Sequence, residues 1–208
     1  MVSTTFLNLK EEKKERIVKA ALTEFSRVPM NEAAVTNIVK KANISRGSFY
    51  QYFGGKEALY KYLVQDLYAK HRQDLYETIQ LNSGDLYQSL LDFYRSYIDE
   101  IMNSEYFSFY ENTFLHVNHY LIGQEGILSL ANRSTTRQKE QEKFVSLINM
   151  DNLRTESKED LLEFIYFTVN LIHQMVVEGF VNDLSGEEIQ KKSLRAVNWL
   201  YYGIRDKN

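Results

Sequence analysis

The 208-residue chain has no cysteine, so disulfides and thiolate metal sites are excluded. It has one proline and nine glycines. With so little punctuation, long helices are expected and short strands with turns are not. The opening segment "MVSTTFLNLKEEKKER" has no apolar core of the kind a secretory signal needs. The most apolar stretch, "LLEFIYFTVNLIHQMVVEGF" (161–180), carries Glu163, Asn170, His173, Gln174 and Glu178, which is too polar for a membrane span. A cytoplasmic protein with no membrane partner is the expectation. Also missing are a glycine-rich phosphate loop, a nucleophile elbow and an HExxH motif. No enzymatic activity and no cofactor are expected.

What is present is ordinary in amount and uneven in placement. Apolar residues make up 44% and charged residues 25%, which suits a folded globular chain. The net charge is −3, yet residues 1–72 hold 13 Lys and Arg against 7 Asp and Glu, and the remainder holds 12 against 21. A basic front on an acidic body points to a polyanionic partner for the front.

The helical patterns are legible along the chain. Asn8 is placed to cap a first helix in which Ile17, Ala21, Leu22 and Phe25 recur at helical spacing. Pro29 marks a corner. Val35, Ile38, Val39 and Ala42 form the stripe of a second helix, about two turns long. In "ANIS", Asn43 suits a left-handed helix end, Ile44 plugs the corner and Ser45 can cap the next helix. That third, short helix runs from about Arg46 to Phe53 and stops at Gly54-Gly55. One long helix is expected over 56–79. Beyond it, helices are expected at about 85–102, 105–122, 136–150, 157–182 and 186–204, with Ser157 and Ser185 as caps. The fold class is therefore all-α, with a helix-turn-helix front (residues 1–56) and a helical body (57–208).

The third helix, "RGSFYQYF", carries the chemistry. Phe49 and Phe53 are four residues apart and share the face that packs on the preceding helices. Gly47, Ser48 and Gln51 fall opposite, and Arg46 projects from the N-terminal end. The N-terminal part of such a helix enters the DNA major groove. There Arg46 can pair with a guanine edge and Gln51 with an adenine edge. Gly47 permits close backbone approach. Tyr50 and Tyr52 are candidate phosphate donors, and Lys56, in the first turn of the next helix, is another beside free backbone N–H groups.

The segment "EAAVTNIVKKANISRGSFYQYFGGKEALYKYLV" (32–64) resembles the DNA-binding region of the TetR family of bacterial transcriptional regulators. The matching residues are Phe25, Ile38-Val39, Ala42, Ile44, Ser45, Gly47, Phe49-Tyr50, Tyr52-Phe53 and Lys56-Glu57-Ala58-Leu59. The resemblance implies a homodimer joined mostly through the last two helices (about 157–182 and 186–204). It implies operator binding by the N-terminal domain and a small-molecule effector held in the C-terminal bundle. Carried over by position, Thr36, Arg46, Ser48 and Gln51 face the groove, and Tyr50, Tyr52 and Lys56 touch phosphate. Two departures stand out. Pro29 replaces a frequent glycine, and Ala33-Ala34 replace hydroxyl residues that usually cap the second helix. Capping is then left to Asn31 or to water.

On this reading the chain is a repressor that binds a palindromic operator and is released by a small, largely apolar or aromatic effector. Phe114, Phe167, Asn170, His173 and Gln174 are the expected effector contacts. No metal site is expected; His116 and His119, which share a helix face, are read as a surface or pocket pair and are the candidates should metal or haem bind. The competing reading is a helical small-molecule carrier or haem-binding sensor with no DNA role. Such a protein has no reason to keep the 45–56 constellation.

Overall fold

The structure is a computed structural model that describes residues 2–116, 135–151, 153–155 and 157–203, without the side chains of 116 and 135–138. All its elements are helices, and no strand occurs among the described residues. They are α1 (Thr4–Leu7), α2 (Glu11–Arg27), α3 (Val35–Ala42), α4 (Arg46–Phe53), α5 (Lys56–Leu81), α6 (Leu86–Asn103), α7 (Phe107–His116), α8 (Thr135–Ser146), α9 (Lys158–Val181) and α10 (Gly186–Tyr202). The chain forms two compact units. One is Met1–Leu67 with Asn103–Val117, and the other is Tyr68–Met102 with Asn118–Asn208. The first unit thus exceeds the expected 1–56: it takes in the first half of α5 and also α7.

In the first unit, a helix that the periodicity did not suggest opens the chain. Ser3 caps α1 by accepting from the Phe6 N–H, and the Ser3 N–H donates to the Tyr52 carbonyl at 2.8 Å. Phe6 is fully buried among Tyr52, Phe53 and Tyr62. Asn8 therefore ends α1, and α2 starts after Lys10 without a side-chain cap. The role expected of Asn8 is corrected accordingly. Burial of Ile17, Ala20, Ala21 and Phe25 on α2 follows the expected stripe. Helix α7 packs on α2. Its Asn112 amide donates to the Phe25 and Ser26 carbonyls, which lie in the last turn of α2. The Tyr60 hydroxyl donates to Thr113 Oγ1 at 2.8 Å, inside the unit.

The second unit is a bundle. α6 buries Leu86, Leu90, Phe93, Tyr94, Tyr97, Ile98 and Ile101 along one face. Gly84, at φ +84°, lies between α5 and α6. Its carbonyl accepts from the Asn149 N–H, and a Cβ there would stand 2.7 Å from backbone atoms of residues 147 and 149. α8 ends at Ser146, four residues before the expected Met150, and the chain after it brings Asn149 to Gly84. α9 and α10 have the expected caps. Ser157 accepts from the Asp160 N–H, and Ser185 with Glu188 forms a reciprocal capping box. Between them the chain turns tightly enough for Gly179 to meet the Ile189 side chain. Among the described residues α9 is the one helix long and apolar enough to cross a membrane. In the unit it is a bundle helix that buries Leu161, Ile165, Ile172 and Val176.

Candidate nucleic-acid interface

Two short helices and a three-residue turn build the candidate surface. Asn43 ends α3 in the left-handed conformation (φ 50°, ψ 53°), and the Ile44 N–H returns to the Val39 carbonyl at 3.1 Å. The Ser45 hydroxyl accepts from the Ser48 N–H at 3.0 Å and starts α4. Gly54, at φ +73°, ends it in a conformation that a side chain would strain. Phe49 and Phe53 are buried beneath, which fixes the rotation of α4 and presents its other face.

Of the eight residues expected to meet DNA, five are exposed: Thr36, Arg46, Gly47, Tyr50 and Gln51; Ser48 is half-buried. The Arg46 guanidinium stands 5.7 Å from the centre of the Tyr50 ring, and one of its nitrogens is 3.4 Å from the Tyr50 hydroxyl. Tyr50 thus holds Arg46 over the face in a cation–π contact. At Gly47 an added Cβ would have only Ser45 Oγ nearby, at 3.8 Å. Nothing inside the protein requires glycine there, so its bareness is available to a partner that approaches the backbone closely.

Two expectations are corrected. Tyr52 is buried, only 5% exposed, and packs on Phe6 and Phe53. Its hydroxyl accepts from Lys13 Nζ at 3.1 Å. It is a core residue and not an open phosphate donor. Lys56 turns its ammonium onto the carbonyls of Asn31, at 2.6 Å, and Ala33, at 2.9 Å. Two of its three N–H groups are committed to tying the start of α5 to the loop before α3.

The capping question at α3 has an answer outside the expected set. Ala34 holds the cap position without a side-chain bond. Its N–H instead donates to Glu24 Oε1 of α2 at 2.8 Å. The Asn37 amide donates to the same carboxylate at 3.1 Å, and Arg27 reaches it at 2.7 and 3.0 Å. Burial raises the pKa of this carboxyl; the bonds from Arg27, Ala34 and Asn37 outweigh it and hold the group below its ordinary value. At the other end of α3, Arg16 Nε donates to the Ala42 carbonyl at 2.9 Å. Periodicity could not reveal Glu24, because the relevant signal is a buried carboxylate on a face otherwise read as apolar.

The expected effector contacts are scattered. Phe114 is buried in the first unit. On α9, Phe167 is 58% exposed, Gln174 is exposed and His173 is buried. The Asn170 amide donates to the Tyr166 carbonyl at 2.7 Å within its own helix. The second unit holds a cavity of about 450 Å³ elsewhere, among Leu86, Leu153, Leu161, Phe164, Leu200 and Tyr201, with Arg154 and Thr155 as polar lining. None of the five expected residues lines it. His119 and the His116 side chain lie outside the described residues. Among those described, no three His, Asp or Glu converge as a metal site.

The pair α3 and α4, joined by a three-residue turn and with α4 capped by Ser45, has the helix-turn-helix arrangement, and α5 leads from it into an all-helical body. Residues 17–63 match the family model for bacterial regulatory proteins of the tetR family, and residues 85–204 match the tetracyclin repressor-like C-terminal domain. The chain belongs to the TetR family.

Its relatives agree. The uncharacterized HTH-type transcriptional regulator YdgC of Bacillus subtilis is 41% identical over 73 residues, 35% of this chain and 37% of that protein. The match therefore spans little more than a third of YdgC. A TetR-family regulator from Pectobacterium atrosepticum superposes with a TM-score of 0.63 at 18% identity, covering 96% of this chain and 99% of its own. FadR of Bacillus subtilis, solved with stearoyl-CoA, superposes with a TM-score of 0.56 at 15% identity, covering 92% and 99%.

Proposed function

We propose that the protein is a cytoplasmic repressor that binds a palindromic operator as a homodimer and is released from DNA by a small, largely apolar effector. The observation that carries the reading is the outer face of α4. Arg46, Gly47, Tyr50 and Gln51 are exposed together while Phe49 and Phe53 anchor the helix from behind. In this reading Arg46 and Gln51 read base edges and Tyr50 meets phosphate. Lys56 acts mainly within the protein.

Dimerisation through α9 and α10 is supported by large apolar side chains left open in the single chain. Phe167 and Val181 on α9, and Trp199 and Tyr202 on α10, are each at least half exposed. Two such heads would sit about 34–36 Å apart on a two-fold axis to meet successive major grooves. The effector site is the cavity in the second unit. Its size falls within the range of ligand pockets, roughly 300–1,000 Å³. Its leucine and aromatic lining suits an apolar body, and Arg154 with the Thr155 hydroxyl suits an anionic or strongly polar head. The acyl-CoA bound by FadR is a precedent in the fold for an effector with an apolar chain. An effector that binds better to the state unfit for DNA lowers occupancy by population shift.

The test is selection of bound duplexes from a randomised pool by the purified protein, repeated across salt concentrations. An inverted repeat should emerge, with affinity falling steeply as salt rises. Arg46→Ala should lower affinity for that repeat and leave the dimer intact. Recovery of no preferred sequence at any salt would refute the proposal.

A further inference from the structure

Helix α3 is eight residues long and lies along α2. Its two ends are held by two α2 side chains eight positions apart, Arg16 and Glu24. Eight residues of α-helix rise roughly 12 Å, the same length on both helices. The charges also match the helix dipole. The carboxylate sits at the positive N-terminal end of α3, and the guanidinium sits at the negative C-terminal end. Ala34 has the backbone of a cap (φ −105°, ψ 118°) and no hydroxyl to act as one. Glu24 fills that place from a neighbouring helix, and Asn37, one turn further along, grips the same carboxylate. Thr36 lies between the two gripped positions and is exposed.

We propose that Glu24 and Arg16 are positioning residues for DNA recognition. Together they form a two-ended clamp that sets the rotation and slide of α3, and through the Asn43 turn the aim of α4. The proposal rests on the DNA-binding reading above and goes beyond it, since the role assigned to Glu24 and Arg16 is to hold the two ends of α3. Glu24 is only 5% exposed. In an isolated helix the cap would be a local matter. Here it is a tertiary bond, so its loss frees α3 to turn against α2 while both helices remain formed. Base contacts depend on that alignment more than phosphate contacts do.

The experiment compares wild type with Glu24→Leu, Glu24→Gln, Ala34→Ser and the Glu24→Leu/Ala34→Ser double variant. Three readings are taken: amide exchange at Ala34 and Asn37, thermal unfolding, and affinity for the wild-type-selected duplex relative to a scrambled one. Glu24→Leu should speed exchange at Ala34 and cut the selected-to-scrambled affinity ratio about tenfold, the scale set by losing a helix cap. Glu24→Gln, which keeps one acceptor oxygen and the side-chain length, should fall between. The double variant should recover the ratio, because the introduced hydroxyl restores a cap at the same end. The clamp is refuted if Glu24→Leu lowers the unfolding temperature and leaves the ratio unchanged, or if the double variant regains slow exchange and not selectivity. If the wild type itself selects no duplex, the DNA-binding reading falls and the clamp falls with it. A wild type that selects a duplex which Glu24→Leu and Glu24→Gln bind equally well sinks the clamp alone.

Discussion

Thr113→Val should destabilise the first unit more than Tyr60→Phe, although the two substitutions cut the same bond. The Tyr60 hydroxyl donates to Thr113 Oγ1 at 2.8 Å, and the two residues are 6% and 1% exposed. Burial pushes the Tyr60 phenol up to about 12, against the opposing pull of the Thr113 bond. Valine in place of Thr113 keeps the shape and strands the tyrosine hydroxyl at the end of a ring packed between Phe25 and Phe109. A stranded buried hydroxyl costs about 1–3 kcal/mol. Phenylalanine in place of Tyr60 strands Thr113 instead. A helical threonine can rotate to bond the carbonyl four residues back, so the cost should stay near 1 kcal/mol. The double variant strands neither group and should cost less than the two singles summed, with a coupling of about 1 kcal/mol or more.

The assay must report on the first unit. The only tryptophan, Trp199, lies in the second, so fluorescence is uninformative there. Amide exchange along α5 and α7 gives the opening free energy directly. Equal losses from the two single variants, or strict additivity in the double, would refute the account. The same variants carry a pH signature. A phenol raised in the folded state stabilises below its unfolded value of 10.0, and that contribution is lost as pH rises from there toward about 12. Tyr60→Phe should remove this part of the alkaline slope.

Trp199 fluorescence during denaturation suits two predictions in the second unit. Gly179→Ala places a Cβ 2.4 and 2.6 Å from Ile189 Cδ1 and Cγ1; overpacking should cost about 1–3 kcal/mol, more than the roughly 1 kcal/mol gained in helix propensity. Ile189→Val added to it should recover part of the loss, and a stabilised Gly179→Ala protein would contradict the contact. The Glu100 carboxyl faces His71 and takes a 2.6 Å bond from Lys70, which together bring it from its ordinary 4.5 to about 2 against the cost of burial. A depressed carboxyl stabilises above 4.5 and loses that contribution as pH falls toward about 2. Glu100→Gln should flatten this acid limb, and an unchanged limb would count against the cluster.

Much of what is decided within about four residues was legible in the sequence alone, although α1 with its Ser3 cap was not. The stripes of α2 and α3, the left-handed Asn43, the Ser45, Ser157 and Ser185 caps and the stop at Gly54 are such features, because helix faces and caps are set by i+3 and i+4 neighbours. Tertiary structure decided the rest. Tyr52 and Lys56 looked like surface donors and were claimed by Phe6, Lys13, Asn31 and Ala33. The cap of α3 came from Glu24, ten residues before Ala34. Helix α7 joined the first unit through Asn112 and Thr113, whose partners lie 87 and 53 residues away. None of the five residues expected to contact the effector lines the cavity. Polar groups that leave water need partners, and a chain of this length can bring those partners from any distance. Local periodicity fixes which face a residue occupies; only the packed chain determines what meets it there.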